Sequence, residues 1–124
     1  MLYDKGEDNI FLIRVDKSRL EQVVSNLLSN CIKFTKEGTI SLNVEEKDNQ
    51  ALVTVKDTGP GIDPEMLPRL FSKFATKSER GAGLGLFICK NIIEAHGGRI
   101  WAENNSDGKG ATFYFSLPIS SDNQ

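Results

Sequence analysis

Three groups of residues have the types and spacing to do chemistry. Gln22, Asn26, Asn30 and Lys33 recur at i, i+4, i+8 and i+11. At 100° per residue they fall within about 80° of helical arc, directly beside the apolar arc. A stripe in that position lines the edge of a crevice. Carboxamide oxygens can meet Mg2+ and a lysine ammonium can meet phosphate, so the pattern suits a divalent metal with attached phosphates. Taken alone, it suits a hydrated helix face better. The second group centres on Asp57, which follows Ala51, Val53 and Val55 on one side of a strand, just where the chain breaks into Thr58-Gly59-Pro60-Gly61. A carboxylate on the apolar side needs a donor, because an unpaired buried charge is costly. The exocyclic amine of adenine is such a donor, whereas guanine presents a carbonyl oxygen at that edge. Gly59 and Gly61 let the backbone approach a flat ring closely. The alternative is an aspartate that organises its own turn.

The third group, Gly81-Ala82-Gly83-Leu84-Gly85-Leu86, opens a helix, with Lys73, Lys77 and Arg80 just upstream. Free backbone amides and the positive end of the helix dipole make an anion site there. No Gly-Lys-Ser/Thr follows, so this is not a Walker loop. The glycine spacing and the lack of a preceding strand exclude the dinucleotide fingerprint. A flexible hinge among solvated charges is the plain alternative.

The elements that position these residues are legible from periodicity. Asn9 to Val15 is β-prone after a polar lead-in. Asp16 offers an N-cap to a helix whose apolar positions run Leu20, Val23, Val24, Leu27, Leu28, Cys31 and Phe34, ending at the turn signal Lys36-Glu37-Gly38. Thr39 to Glu46 and Ala51 to Asp57 alternate as a hairpin across Asp48-Asn49-Gln50. A short helix is predicted from Pro64, then a basic, glycine-broken stretch from Ser72 to Gly83. A third helix carries Leu84, Ile88, Ile92 and Ala95 and stops at Gly97-Gly98. Strands Arg99 to Glu103 and Ala111 to Leu117 follow, and residues 119–124 read as a frayed tail. Five strands and three helices without repeats predict one domain over residues 1–124, an α/β two-layer sandwich whose mixed five-stranded sheet carries the helices on one face.

Composition narrows the function. A chain of 124 residues can bury one core without staples, and its apolar and charged contents are those of a globular domain. The net charge of −2 gives no bulk attraction to nucleic acid or an anionic membrane surface. No apolar run reaches the roughly 18 residues a membrane span needs, and the first residues lack the layout of a signal peptide. A cytoplasmic, monomeric domain is expected, and its parent protein is free to be membrane-anchored. Cys31 and Cys89 sit in helical patterns without metal spacing and read as small buried hydrophobes.

Taken in order, these features resemble the Bergerat-fold ATPases, and within them the catalytic, ATP-binding domains of histidine kinases. Asn26-Leu27-Leu28-Ser29-Asn30-Cys31-Ile32-Lys33-Phe34-Thr35 is similar to the family's asparagine box, with Cys31 where alanine is usual. Asp57-Thr58-Gly59-Pro60-Gly61 matches the first glycine motif, Leu70-Phe71-Ser72-Lys73-Phe74 the phenylalanine motif, and Gly81 to Leu86 the second glycine motif. His96-Gly97-Gly98 and Gly110-Ala111-Thr112-Phe113 recur in the family as well. The resemblance implies ATP and Mg2+ as cofactors, with Asn30 on the metal, Asn26 supporting metal and phosphates, and Lys33 on phosphate. It implies Phe34 near the adenine, Asp57 on its amine with Gly59, Gly61 and Ile62 beside it, and Gly81, Gly83, Leu84, Gly85 and Leu86 around the phosphates. Ser72 to Gly83 would be a lid, with Lys77 as its phosphate contact. Thr112 would help hold the adenine end, although strand alternation sets it opposite Phe113 and Phe115.

Hydrolases of this fold carry a glutamate one helical turn before the metal asparagine, and that position here is Asn26, an amide with no useful basicity. Holding Mg-ATP without activating water suits phosphoryl transfer to another nucleophile. The sole histidine, His96, reads as a helix-end residue near the negative pole of the dipole. The resemblance implies that the acceptor histidine lies on a separate dimerisation domain, which would make this chain an excised catalytic part of a two-component kinase, linked indirectly to a response regulator. An anti-sigma-type serine kinase and a non-catalytic ATP-sensing module are the rival readings.

Overall fold

A computed structural model describes residues 2–4, 10–12, 15–35, 37–73 and 85–119. Its first long element is α1, Lys17–Phe34. Asp16 caps it, accepting from the amides of Ser18 at 3.1 Å and Arg19 at 3.2 Å, which satisfies two donors the first turn would otherwise leave open. Thr35 ends it, its amide closing on the Cys31 carbonyl at 2.9 Å.

Strands β3 (Ile40–Lys47) and β4 (Gln50–Asp57) form the expected hairpin, with Lys47 opposite Gln50. Its two turn residues, Asp48 and Asn49, both take positive φ (54° and 63°), as a tight hairpin turn requires. β5 (Arg99–Asn104) and β6 (Ala111–Pro118) complete a four-stranded sheet of order β3-β4-β6-β5. β4 alternates strictly, with Ala51, Val53, Val55 and Asp57 buried. On β6 the facing partners are Leu117, Phe115 and Phe113.

The inner face of this sheet meets α1 through Val23, Leu27 and Cys31, and the second helix, α2 (Gly85–Ala95), through Cys89 and Ile93. Phe115 and Leu27 are both fully buried, which contributes about 2–3 kcal/mol apiece. The edge strand β3 extends past the helical cover and leaves Leu42 44% exposed. A clasp joins the far ends of the helices. His96, just after α2, approaches the Ile92 carbonyl with Nδ1 at 2.8 Å, and its Nε2 accepts from the Asp16 amide at 3.1 Å. The carbonyl can only accept, so Nδ1 carries the proton.

Three expectations change. The sheet is four-stranded and antiparallel throughout among the described residues, rather than five-stranded and mixed. Within the stretch read as strand from Asn9 to Val15, residues Ile10–Leu12 (β2) pair instead with Leu2–Asp4 (β1) in a separate two-stranded sheet. Leu2 and Tyr3 are themselves β-prone and offer a partner nearby in sequence, where the entropy of loop closure is low. The helix predicted from Pro64 is a single 3-10 turn, Leu67–Arg69. Pro68 within it has no amide to donate, so an α-helix does not propagate. The described residues thus form an α+β fold with two α-helices.

Candidate functional site

Of the α1 stripe, Asn26 and Asn30 are half-buried and Lys33 is exposed, as a crevice edge demands. Gln22 accepts from the Arg19 guanidinium at 3.2 Å and belongs to the helix surface. Asn26 reaches across to α2. Its side-chain nitrogen lies 3.5 Å from the Gly85 carbonyl and 3.7 Å from the Cys89 sulfur, and the Cys89 thiol is 3.9 Å from the Val23 carbonyl. These are long contacts, but their polarity is unambiguous. A carbonyl can only accept, so it is the NH2 end of Asn26 that faces α2.

Asp57 ends β4 at 6% exposure, on the apolar side of the strand. Its Oδ1 accepts from the Gly59 amide at 2.9 Å and the Ala111 amide at 3.3 Å. The carboxylate therefore organises its own turn, which was the plain alternative, and does so while facing the helices. It also lies against Cys31, the residue after Asn30. Burial first, then the Asp57 charge and a hydrogen bond with its carboxylate, push the Cys31 thiol up to about 12. The carboxylate of β4 thus meets α1 at Cys31, next in the chain to Asn30.

The loop after Asp57 is fastened from outside by two consecutive asparagines. Asn104 accepts from the Ile62 amide at 2.7 Å and donates to the Ile62 carbonyl at 2.8 Å. Asn105 donates to the Asp57 carbonyl at 2.9 Å and to the Lys109 carbonyl at 2.8 Å. Two glycines permit this closeness. Gly110 (φ 84°) passes so near Asp57 that a Cβ would sit 2.0 Å from its carbonyl oxygen, and at Gly61 (φ 86°) a Cβ would lie 3.0 Å from Asn104 Oδ1.

This geometry can be set beside known proteins. The model of the histidine kinase-, DNA gyrase B- and HSP90-like ATPase family matches residues 15–121. The chain belongs to that family. The sensor protein KdpD of Clostridium acetobutylicum is 43% identical over 118 residues, 90% of this chain and 13% of KdpD. The sensor protein FixL of Bradyrhizobium diazoefficiens is 40% identical over 124 residues, 97% of this chain and 24% of FixL. The nucleotide-free catalytic domain of histidine kinase ThkA superposes with a TM-score of 0.78 at 39% identity, covering 91% of this chain and 73% of that one. ThkA has also been solved in complex with the response regulator protein TrrA, where the match has a TM-score of 0.75 at 36% identity over 93% of this chain and 32% of that one. The chain thus spans less than a quarter of the length of the curated sensor proteins it matches.

Within this ATPase family frame, the asparagine box lies along α1 and the first glycine motif turns off β4. Phe34 closes α1, and Leu86 packs on the core from the first turn of α2. In the phenylalanine motif, Leu70 is buried and Phe71 meets Phe113 edge-on, with centroids 6.3 Å apart. Lys73 sits 5.9 Å from the centre of the Phe87 ring on α2. Lys77, Gly81, Gly83 and Leu84 lie outside the described residues. Thr112 lies on the face where strand alternation sets it. Its register partners are Lys56 and Glu103, on the sheet face opposite Phe113, and its hydroxyl donates to Asn105 Oδ1 at 2.6 Å. It reaches Asp57 only through Asn105. The residue that touches the Asp57 carboxylate from β6 is Ala111, through its amide.

Sequence reasoning passed over Asn104 and Asn105, the contact of the Ala111 amide with Asp57, and the polar contacts of the two thiols, which it read as small hydrophobes. The asparagines read as turn formers, and only their long-range partners show otherwise. The thiols carried a usable signal, since Cys31 follows Asn30 directly and Cys89 is one helical turn beyond Gly85.

Proposed function

We propose that this domain binds Mg-ATP along the crevice between α1, the Asp57–Ile62 loop and the start of α2, and donates the γ-phosphoryl group to a histidine on a separate helical dimerisation domain. The observation that carries the reading is the Asp57 carboxylate. It is buried and turned toward the helices, with its neighbouring backbone packed closely where Gly61 and Gly110 leave room for no Cβ. Such a group selects a flat ring bearing an amine at its edge, as adenine does.

The metal fits the donor set in a particular way. Among the described residues no cluster of three or more acidic, histidine or cysteine side chains forms a cage. The α1 stripe offers neutral carboxamide oxygens, from Asn26 and Asn30. Mg2+ is commonly held by one or two protein oxygens together with waters and substrate phosphates, which suits that sparse set. When bound, it neutralises charge on the phosphates. Lys33, one turn beyond Asn30, adds a point charge for a phosphate oxygen. Phe34, Gly59 and Ile62 belong to the base end, and Gly81, Gly83, Leu84, Gly85 and Leu86, with Lys77, to the phosphate end.

Asn26 favours transfer over hydrolysis. An amide cannot take a proton from water, and its nitrogen is already turned to α2. Catalysis then rests on positioning and charge neutralisation, which dominate phosphoryl transfer. The resemblance to ThkA, whose complex with TrrA is known, makes a response regulator the downstream partner in this reading.

The test mixes the purified chain with labelled Mg-ATP and fragments of candidate dimerisation helices. An acid-labile, base-stable label on the fragment is expected. An acid-stable label would indicate serine transfer, and tight binding without transfer to any fragment would indicate a nucleotide-sensing module.

A further inference from the structure

Asn104 and Asn105 lie at the end of β5, in a part of the chain that no motif of the site covers. Three of their four side-chain amide and carbonyl groups nevertheless close on Asp57 and the loop that follows it. Asn104 pairs with both backbone groups of Ile62, at 2.7 Å and 2.8 Å, in the manner of an added strand residue. Asn105 spends both amide protons on carbonyls, those of Asp57 and Lys109, and its oxygen receives the Thr112 hydroxyl at 2.6 Å. The Asn105 amide itself donates to the Gly110 carbonyl at 2.9 Å. These lengths are those of well-formed hydrogen bonds.

At its start the loop is tied to Thr39, whose carbonyl accepts from the Thr58 amide at 3.1 Å and whose amide donates to the Thr58 hydroxyl at 3.0 Å, so the asparagines govern the part beyond it. Pro60 has no amide to donate, and the side chains at Gly59 and Gly61 are absent by definition. The Gly59 amide is taken by Asp57 itself. Ile62 packs against the core through its side chain, and Asn104 supplies the partners of both its backbone groups.

We infer that Asn104 and Asn105 are positioning residues for base recognition, holding Ile62 and the backbone of Asp57 in the geometry that receives the adenine. This rests on the nucleotide reading given above. A wall already set in its binding geometry spares the ligand the entropy of ordering it. The clamp lies at the base end and touches none of the groups assigned to phosphate. Its loss therefore weakens ligands that carry the base and leaves those that carry only phosphates unaffected. Thr112 acts within the same device, orienting the Asn105 carboxamide so that both of its protons point at carbonyls.

The experiment compares the parent chain with Asn104→Ala and Asn105→Ala by titration calorimetry against Mg-ATP, AMP and Mg-tripolyphosphate. Amide hydrogen exchange is followed at Ile62 and Val55. The expected result is a loss of about tenfold in affinity for ATP and AMP alike, with tripolyphosphate unchanged. Exchange should quicken at Ile62 and not at Val55. Variants that bind AMP as the parent does overturn the inference. So does an equal loss for all three ligands with faster exchange at Val55, which would mark general destabilisation. If Asn104→Ala does not fold, Asn104→Asp keeps the acceptor for the Ile62 amide and sets an oxygen against the Ile62 carbonyl. It too must lose AMP affinity for the inference to stand. A parent chain that binds neither nucleotide overturns the ATP reading itself, and is thereby distinguished from failure of the clamp.

Discussion

Asp57 and Asn26 show how much can turn on one side-chain atom. In Asp57→Asn the Oδ1 position can still accept from Gly59 and Ala111, so the turn survives. In the proposed complex the other end becomes an NH2 facing the adenine amine, donor against donor. Losing a hydrogen bond to a charged group costs about 1.5–3 kcal/mol, so ATP affinity should fall roughly ten- to 150-fold. Circular dichroism should be unchanged while calorimetry shows the loss. Unaltered affinity would remove Asp57 from the base site. Asn26→Asp tests the opposite face of the crevice. It places a carboxylate where an NH2 now meets the Gly85 carbonyl and the Cys89 sulfur. Two acceptors then oppose each other at a half-buried contact, and stability should drop by about 1–3 kcal/mol in urea denaturation. A variant as stable as the parent would mean that the amide does not link the helices. The identity of both residues was legible in the sequence, because chemistry follows from residue type and spacing. Their partners were not, since Gly85 and Ala111 are brought close only by the fold.

At the scale of elements, periodicity read α1, β3, β4, β5 and β6 to within a residue or two at either end, because each has one buried face that repeats. It misjudged the pairing of Ile10–Leu12, since alternation says that a segment is a strand and not which strand it joins. It also missed what a proline does to a short helix at Leu67–Arg69. The N-cap of α1 was read from type alone and can be tested by pH. Hydrogen bonds from the Arg19 amide foremost, and from the Ser18 hydroxyl and amide, hold the Asp16 carboxyl below its ordinary 3.8. A lowered folded pKa stabilises the ionised form, so this contribution is fully present above about pH 4 and lost as pH falls through the folded value. Asp16→Ala should therefore melt at a lower temperature than the parent at pH 7. The two melting curves should converge in acid below pH 4. A gap that persists at low pH would mean that the cap acts through something other than its charge. The His96 clasp uses the Asp16 backbone amide, which the substitution retains, so the comparison isolates the side chain.

Among the described residues of the whole molecule, the four-stranded sheet and both helices close on one core, and the crevice proposed for the nucleotide lies at its margin rather than apart from it. Cys31 belongs to both. It packs in the core at 2% exposure and lies against Asp57. Sequence reading took it as a small hydrophobe, which its burial supports, but the neighbouring charge gives it a further consequence. Its thiol is raised from 9.0 to about 12, by burial first and then by Asp57. A raised folded pKa means that the unfolded chain loses its proton first as the solution becomes alkaline. The stabilisation is therefore complete below pH 9 and is lost as pH rises through about 12. At about pH 10.5 one such group removes about 2 kcal/mol, by the linkage relation for a site that ionises freely only when unfolded. Cys89, also buried and raised, remains in both proteins when Cys31→Ala is compared with the parent. The difference in unfolding free energy between parent and Cys31→Ala, measured in urea from pH 8 to about pH 10.5, should thus shift against the parent by about that amount. A constant difference across the range would show that the thiol ionises as readily in the fold as outside it. In that case Cys31 would not be enclosed between α1 and the Asp57 strand, and the closed margin of the crevice would be wrong at its centre.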